Sequence, residues 1–341
     1  MDHGRRSGGL ALAAQGADRP FSAQDYRADF AELCTQIGST YAYFDSKALQ
    51  WERVCDLCRG ELGQVHAREQ FVTLLEQVVD ELYDPHAQLN TNTDRSYRLV
   101  PSGADLWAEW RDGLAVITQV RGNSDAERAG IRPGAIVLEL DRLPIAARVE
   151  ARLGRSFPHS TAAARDWALR SVLAGVHGIR RELRLEMRGA AREFVPPAPD
   201  QQFAGSVPVS HSEIRPGIGY IVLNDSLGDD ATVGAFDAAL DSLAATRGLI
   251  IDLRNTASGG NSTVARAILG RFVDRGMPYQ MHILPVEERD TGIRVNVPAE
   301  RLQHVHGLLR EQFRPLQHVQ VEAAETGEDP YLARALSLLL E

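Results

Sequence analysis

One stretch in the C-terminal half constrains the fold more than any other, because it reads as two buried strands joined by a helix. Residues 219–223 (GYIVL) and 248–254 (GLIIDLR) are apolar runs of strand length, and residues 231–245 between them have apolar side chains at helical spacing. A glycine turn follows, and Asn261 or Ser262 can cap a helix that runs to Val273. The order strand, helix, strand, helix predicts a parallel strand pair with a right-handed crossover.

Length and charge exclude several classes of protein. The 341 residues are 44% hydrophobic and 24% charged, which is typical of a globular chain with two or three domains. The net charge of −9 makes nucleic acid and anionic membrane surfaces poor partners. No apolar run approaches the roughly 20 residues that span a bilayer, so we predict no transmembrane segment.

The first 20 residues read as a leader or a disordered segment. Arg5 and Arg6 precede a short apolar run and then small residues, which is the order of an export signal. If it is such a signal, the protein is periplasmic or secreted; otherwise it is cytoplasmic. The sequence leaves both possibilities open.

The three cysteines are Cys34, Cys55 and Cys58. An odd, low count excludes a scaffold built on disulfides. Cys55 and Cys58 form a lone Cys-x-x-Cys inside an expected helix, without the second pair of a zinc site. We therefore predict buried or incidental thiols, with a redox or metal role as the alternative.

Residues 21–100 are predicted to form a helical cap domain of three helices. Ser22 and Asp25 have the spacing of a capping box for the first helix. Apolar residues at helical spacing continue through 49–62 and 68–82. The block ends at Asp84-Pro85-His86, where proline stops the helix.

Residues 101–150 have the order strand, short capped helix, glycine turn, strand, and residues 124–137 resemble a characteristic run of PDZ domains. The resemblance implies that a peptide adds as a strand at Gly113, Leu114, Ala115 and Val116, with its terminal carboxylate held by backbone N–H groups of residues 112–115. A structural sandwich without ligand is the alternative. Residues 151–215 are interpreted as a connecting helix and strands.

The string from Leu249 to Arg254, followed by Asn255 and by Gly259-Gly260, is more distinctive. It resembles the signature of the tail-specific, or C-terminal processing, serine peptidases. The resemblance implies an α+β multidomain fold class: a helical cap, a PDZ-like β domain and a crotonase-like α/β core, here at residues 216–341. It also implies peptide-bond hydrolysis by a serine, peptide or protein C-termini as partners, and neither metal nor cofactor.

The same resemblance proposes roles for individual residues. His86 matches the position of a catalytic histidine and is the candidate general base; a loop histidine bonded to backbone is the alternative. Gly259 and Gly260 match the turn that supplies an oxyanion donor. Asp252 and Arg254 are expected to brace this turn.

The nucleophile is missing from the pattern. Peptidases of this type place the serine on a helix after a further strand, but only eight residues lie between Arg289 and Pro298. A strand and a helix need about 5–6 and 11–12 residues respectively. The core is therefore predicted to be shortened internally, with Ser258 as a weak substitute nucleophile, followed by Ser226 and Ser262.

Two functional hypotheses follow from these observations. The first is a peptidase-like protein that binds peptide C-termini and is catalytically impaired as written. The second is a non-catalytic protein that binds peptides or an apolar ligand. The spacing of His304 and His306 is too weak to predict a metal site, and the sequence does not decide the oligomeric state.

Overall fold

The computed structural model describes residues 21–47, 49–89, 91–156, 161–197, 207–225, 227–256, 260–275, 280–283, 295–296, 301–304 and 329–340. The predicted leader and residues Ser226, Ser258 and Gly259 lie outside the described residues. The fold is mixed α/β, with helices packed on small sheets, and none of its described helices has the length and apolar character needed to cross a bilayer.

The cap, residues 21–89, contains helices α1 (Ala23–Thr40), α2 (Trp51–Arg59) and α3 (Arg68–Asp80), and ends in a two-residue strand, β1 (Gln88–Leu89). The capping box of Ser22 and Asp25 is present as predicted. The apolar faces of the three helices form one core, which includes Phe30, Ile37, Leu75, Val78 and Leu82.

The prediction of buried or incidental thiols was wrong for Cys55 and correct for Cys58. Cys34 on α1 and Cys55 on α2 form a disulfide, with their Cα atoms 6.1 Å apart. Cys58 is a free, buried thiol, and its burial raises its pKa to about 11. Cysteine count and spacing do not reveal which helices pack side by side, and that packing is what pairs Cys34 with Cys55.

The middle unit, residues 104–194, is an antiparallel sheet packed against two helices. Its elements are β2 (Leu106–Arg111), β3 (Leu114–Val120), α4 (Asp125–Arg128), β4 (Ile136–Leu140), β5 (Leu143–Pro144), α5 (Ile145–Arg152), α6 (Ala162–Ala174), β6 (Leu183–Met187) and β7 (Ala190–Phe194). The strand order is β2-β3-β4-β6-β7, with β5 paired to β4. The predicted strand, capped helix and strand at residues 114–140 are confirmed, and Ser124 caps α4.

The middle unit extends beyond the expected boundary at residue 150. Strands β6 and β7 belong to the same sheet as β2–β4, so that boundary runs through one packed unit. Ile117 and Val137 lie in its core, whereas Ile136 is half-buried and Ala129 is exposed. The core positions around the turn are taken by Ala126, Ile131 and Ala135.

A buried ion pair lies in the middle unit, next to the C-terminus of α6. The guanidinium of Arg181 donates to both carboxylate oxygens of Asp105 at 2.8 Å, and both side chains are 2% exposed. Arg181 also donates to the carbonyl of Leu173, and Arg98 donates to that of Ala174 at 2.9 Å. These two arginines satisfy carbonyls at the C-terminus of α6, where positive charge is favourable.

The C-terminal unit, residues 207–275, contains β8 (Val209–Arg215), β9 (Ile218–Leu223), α7 (Ala231–Ser242), β10 (Gly248–Asp252) and α8 (Ser262–Leu269). Strands β9 and β10 are parallel and α7 connects them, which confirms the predicted strand-helix-strand unit. The order is β10-β9-β8, with the unpredicted β8 antiparallel to β9. Phe236 and Val264 bring both helices into the core.

The remaining described segments form two short antiparallel strand pairs and the last helix. Strand β11 (Gln280–Ile283) pairs antiparallel with β13 (Arg301–His304). Strand β12 (Val295–Asn296) pairs antiparallel with β1 of the cap. The chain ends in α9 (Pro330–Leu340), preceded by Asp329. The loop that carries His86 therefore leads directly into a strand that pairs with the C-terminal region.

Candidate active site

The loop after α3 places His86 beside a carboxylate. The backbone N–H of His86 donates to Oδ1 of Asp84 at 3.0 Å, and the N–H of Ala87 donates to the Asp84 carbonyl at 3.0 Å. Aspartate favours this kind of turn because its side chain can bond the backbone two residues later. Pro85 between them ends the helical path.

The imidazole and the carboxylate form a pair. Nδ1 of His86 lies 3.3 Å from Oδ1 of Asp84, and the His86 side chain is 80% exposed while that of Asp84 is 10% exposed. A proton on Nδ1 that points at the carboxylate leaves Nε2 able to accept another proton. This is the arrangement of a general base oriented by a carboxylate.

Two residues from the segment between α1 and α2 contact the carboxylate of Asp84. The hydroxyl of Tyr41 donates to Oδ2 of Asp84 at 2.7 Å, and Nζ of Lys47 lies 3.5 Å from the same oxygen. Burial alone would raise the pKa of Asp84, but the hydrogen bonds from His86 and Tyr41 and the charge of Lys47 lower its pKa to about 2. Asp84 is therefore a carboxylate at neutral pH.

Lys47 also fixes the backbone before the pair. Its ammonium donates to the carbonyl of Leu82 at 2.5 Å and to that of Tyr83 at 3.3 Å. Burial lowers the pKa of Lys47, and the neighbouring carboxylate of Asp84 opposes that shift. Sequence reasoning missed Tyr41 and Lys47, because no local pattern connects them with a loop some forty residues away.

The turn after β10 is braced as expected. The guanidinium of Arg254 donates to both carboxylate oxygens of Asp252 at 2.6–3.0 Å and forms an ion pair with Asp329 at 2.7 Å. The hydroxyl of Tyr220 donates to Asp252 at 2.6 Å. Burial would raise the pKa of Asp252, but the hydrogen bonds from Arg254 and Tyr220 outweigh it and lower the pKa.

The end of this turn leads into α8. Asn261 caps the helix, since its side-chain oxygen accepts from the N–H of Thr263 at 2.8 Å, and its own N–H donates to the Leu227 carbonyl at 2.8 Å. Gly260 and Ser262 flank this cap and are exposed. The oxyanion role of Gly259 and Gly260 stays a prediction, as does the substitute role of Ser258.

The residues expected to bind a peptide lie in a different setting from the one predicted. Asp112 and Gly113, both at positive φ (49° and 79°), form the turn between β2 and β3. Ala115 and Val116 pair with β2 on one side and with β4 on the other. Because Ala115 and Val116 are paired on both sides, these two residues offer no open edge to which a peptide could add; a peptide-binding role of Gly113 and Leu114 stays a prediction.

The sheet has its edges at β2 and β7, and side chains of α6 contact the edge at β2. The N–H of Trp110 donates to Asp166 at 3.2 Å, and the carbonyl of Ala108 accepts from Nε of Arg170 at 3.1 Å. The guanidinium of Arg170 also lies 4.0 Å from the centre of the Trp107 ring. A strand added to β2 would need the backbone groups that Asp166 and Arg170 now occupy.

No group of three or more His, Cys, Asp or Glu residues within the described ranges could hold a metal ion. His304 is described as part of β13, and His306 lies outside the described residues.

Comparison with known proteins identifies the fold. No family profile matches the sequence, and no curated protein matches it. A crystal structure of mature CPAF aligns with a TM-score of 0.50 at 17% identity, covering 77% of this chain and 61% of that one. This chain shares the fold of mature CPAF. At such an identity the likeness to CPAF concerns the fold alone.

Two further structures align less well. CPAF complexed with lactacystin gives a TM-score of 0.49 at 18% identity over 77% of this chain and 62% of that one. The photosystem II D1 C-terminal processing protease gives 0.38 at 18% identity over 74% and 66%. Both scores are too low to carry an argument. The chain spans about 61% of the length of the mature CPAF chain.

Proposed function

We propose that this chain is a peptidase-like protein that binds peptide or protein C-termini and has no efficient turnover as written. The observation that carries the proposal is the pair of His86 and Asp84, in which a buried, ionised carboxylate faces Nδ1 of an exposed imidazole. The resemblance of residues 249–260 to the C-terminal processing peptidases supports the same assignment.

The pair has the properties that acyl transfer requires of a base. Nε2 of His86 can accept a proton from a hydroxyl nucleophile. The resulting imidazolium is stabilised by Asp84, which stays ionised because its pKa is about 2. The N–H groups at Gly259, Gly260 and the start of α8 would face the developing oxyanion.

The impairment follows from the missing nucleophile. Eight residues between Arg289 and Pro298 do not provide a strand and a helix to present a serine. In serine proteases, loss of a triad member leaves only about 10³–10⁴-fold acceleration over water. A base and oxyanion donors without a positioned serine would therefore accelerate hydrolysis by no more than this residual factor.

For peptide binding we propose the edge of β2. It is one of the two outer strands of the middle unit, and its outward N–H and C=O groups at Trp110 and Ala108 are held by side chains of α6. A peptide strand would replace Asp166 and Arg170 as the partner of these groups. Binding is therefore a competition between the peptide and α6.

The test is to incubate the purified protein with peptides that have free apolar C-termini, measuring binding by fluorescence anisotropy and cleavage by mass spectrometry. We expect saturable binding, no cleavage, and no labelling by a fluorophosphonate. Cleavage that His86→Ala abolishes and His66→Ala preserves would overturn the impairment. His66 is an exposed cap histidine and serves as the matched control. An absence of binding would overturn the peptide-binding proposal.

A working hydrolase is the second candidate, favoured by one observation. Ser262 is exposed at the first position of α8, directly after the capping residue Asn261. A helix N-terminus stabilises a nearby negative charge. Fluorophosphonate labelling that Ser262→Ala removes would establish this candidate in place of the impaired protein.

A further inference from the structure

We propose that the disulfide between Cys34 and Cys55 is a redox-sensitive brace for the pair of His86 and Asp84. Reduction would then weaken the orientation of the imidazole without unfolding the cap. This inference rests on the proposed role of His86 as a base, and it adds a form of regulation to that site.

The disulfide closes the segment that carries both anchors of Asp84. Cys34 lies on α1 and Cys55 on α2, and the chain between them contains Tyr41 and Lys47. Tyr41 donates to Asp84 at 2.7 Å, while Lys47 contacts Asp84 and donates to the carbonyls of Leu82 and Tyr83. The position of Asp84 therefore depends on this closed segment.

A continuous line of contacts connects the disulfide with Asp84. The indole N–H of Trp51 donates to the carbonyl of Cys34 at 2.8 Å. The Trp51 ring packs on Phe44 with centres 5.8 Å apart, and Phe44 packs edge-on against Tyr41 at 4.9 Å. Tyr41 is 4% exposed and reaches Asp84 through its hydroxyl. Each step is a packed or hydrogen-bonded contact through which a displacement of α2 would move Tyr41.

The covalent link matters because α2 is short. It has nine residues, fewer than an isolated helix needs to be stable in water, so its position depends on its packing and on the disulfide. Between α1 and α2, the described residues include one short 3₁₀ turn, Phe44–Ser46, and no longer helix. Breaking the link would leave the segment with Tyr41 and Lys47 held only by packing and by these non-covalent polar contacts.

The third cysteine does not compete for the link. Cys58 lies one turn after Cys55 on the same helix, and its raised pKa keeps it protonated at neutral pH, whereas exchange requires a thiolate. Cys34 is half-buried, so an external dithiol can reach it. A thiolate of the dithiol attacks Sγ of Cys34 and releases Cys55 as a thiolate, which takes up a proton. The second dithiol sulfur then displaces Cys34, leaving two cysteine thiols and one oxidised, cyclic disulfide.

The test measures the reactivity of His86 directly. Purified protein is treated with diethyl pyrocarbonate at pH 8, before and after reduction by dithiothreitol, and the modification rates of His86 and His66 are compared by mass spectrometry. A carboxylate at Nδ1 makes Nε2 more nucleophilic. We expect His86 to react faster than His66 in the oxidised protein, and to fall to the rate of His66 after reduction.

Variants separate the brace from a general loss of structure. Cys34→Ser with Cys55→Ser should reproduce the reduced state and no longer respond to dithiothreitol, while Cys58→Ser should behave as the unchanged protein. Tyr41→Phe keeps the disulfide and should lower the reactivity of His86 in the same direction. An unchanged ratio of the two rates, either in the reduced protein or in Tyr41→Phe, would overturn the proposal.

Loss of the helical circular dichroism signal on reduction would also overturn it, because the disulfide would then hold the cap and not the pair. No peptide and no turnover enter the measurement. If peptide binding fails in the earlier test, the brace can still be confirmed or rejected.

Discussion

The sheets of the middle and C-terminal units differ in what covers one of their edge strands, β2 in the middle unit and β10 in the C-terminal unit. In the middle unit, the edge of β2 is covered, since Asp166 and Arg170 of α6 bond the backbone of Trp110 and Ala108. In the C-terminal unit, β10 lies at the edge, all five of its residues are half-buried, and within the described residues no strand pairs with its outer side. An open edge is a liability that proteins usually cover or pair.

In the C-terminal unit, residues at and just before α9 lie beside the edge strand β10. Leu339 of α9 lies close to Gly248, and Arg254 connects Asp252 to Asp329 just before α9. In the middle unit a helix of the same unit covers the edge of β2, whereas in the C-terminal unit the edge strand β10 is approached by α9.

The largest expected effect on the free energy of unfolding is in the middle unit. Asp105→Ala should lower the free energy of unfolding by about 3–5 kcal/mol, because it leaves Arg181 as a buried, unpaired charge. Urea denaturation measures it. As the control, Glu139→Ala removes an exposed ion pair with Arg184 and should cost less than about 1 kcal/mol. Equal losses would mean that the Asp105–Arg181 pair is not buried.

The next prediction compares two strands of the C-terminal unit. Ile221→Ala in the central strand β9 should destabilise by about 2–5 kcal/mol, since Ile221 is fully buried. Ile251→Ala in the edge strand β10 should cost about half as much, because Ile251 is half-buried. Equal losses in urea denaturation would show that the outer face of β10 is covered more completely than described.

Opening the covered edge should strengthen peptide binding. Arg170→Ala frees the carbonyl of Ala108 at a cost of about 1 kcal/mol in stability. If a peptide competes for that carbonyl, its affinity should rise about fivefold, the equivalent of one such hydrogen bond. Arg165→Ala on the same helix leaves both backbone bonds in place and is the control. An unchanged dissociation constant in Arg170→Ala would rule out strand addition at β2.

The smallest expected effect is the acid sensitivity of the brace beside β10. Because the pKa of Asp252 is lower in the folded protein, its ionisation stabilises the fold at neutral pH, and this contribution is lost as pH falls below about 4. The loss is up to about 1 kcal/mol, since Arg254 is partly exposed. Unfolding of Asp252→Asn and the unchanged protein should differ at pH 7 and converge near pH 3. A constant difference would contradict the prediction.

The accuracy of sequence-based prediction differed between apolar strands and exposed strands. β9 and β10 are continuous apolar runs and were predicted, and Ser22, Ser124 and Asn261 cap helices at the expected places. β7 (AAREF) and β8 (VSHSEIR) were not identified as separate strands, because both lie in residues 151–215, which were interpreted together as a connecting helix and strands. Exposed strands need few apolar residues, so their sequences show little periodicity.

The candidate site was predicted only in part. His86 was identified from a loop motif, and the structure places it beside Asp84, within the same three residues. The anchors Tyr41 and Lys47 and the partner of Cys34 were not identified, since each contacts a residue more than twenty positions away. Such contacts depend on which helix faces pack together.

The sequence by itself determined the local elements of this protein, because caps and hydrophobic periodicity act within one turn or one strand. Only the tertiary structure decided that α6 covers β2, that Tyr41 and Lys47 hold Asp84, and that Cys34 meets Cys55. These contacts arise when apolar faces of distant segments are buried together. Hydrophobic burial is non-directional, so a segment's pattern shows that it has a buried face but does not show which partner covers it.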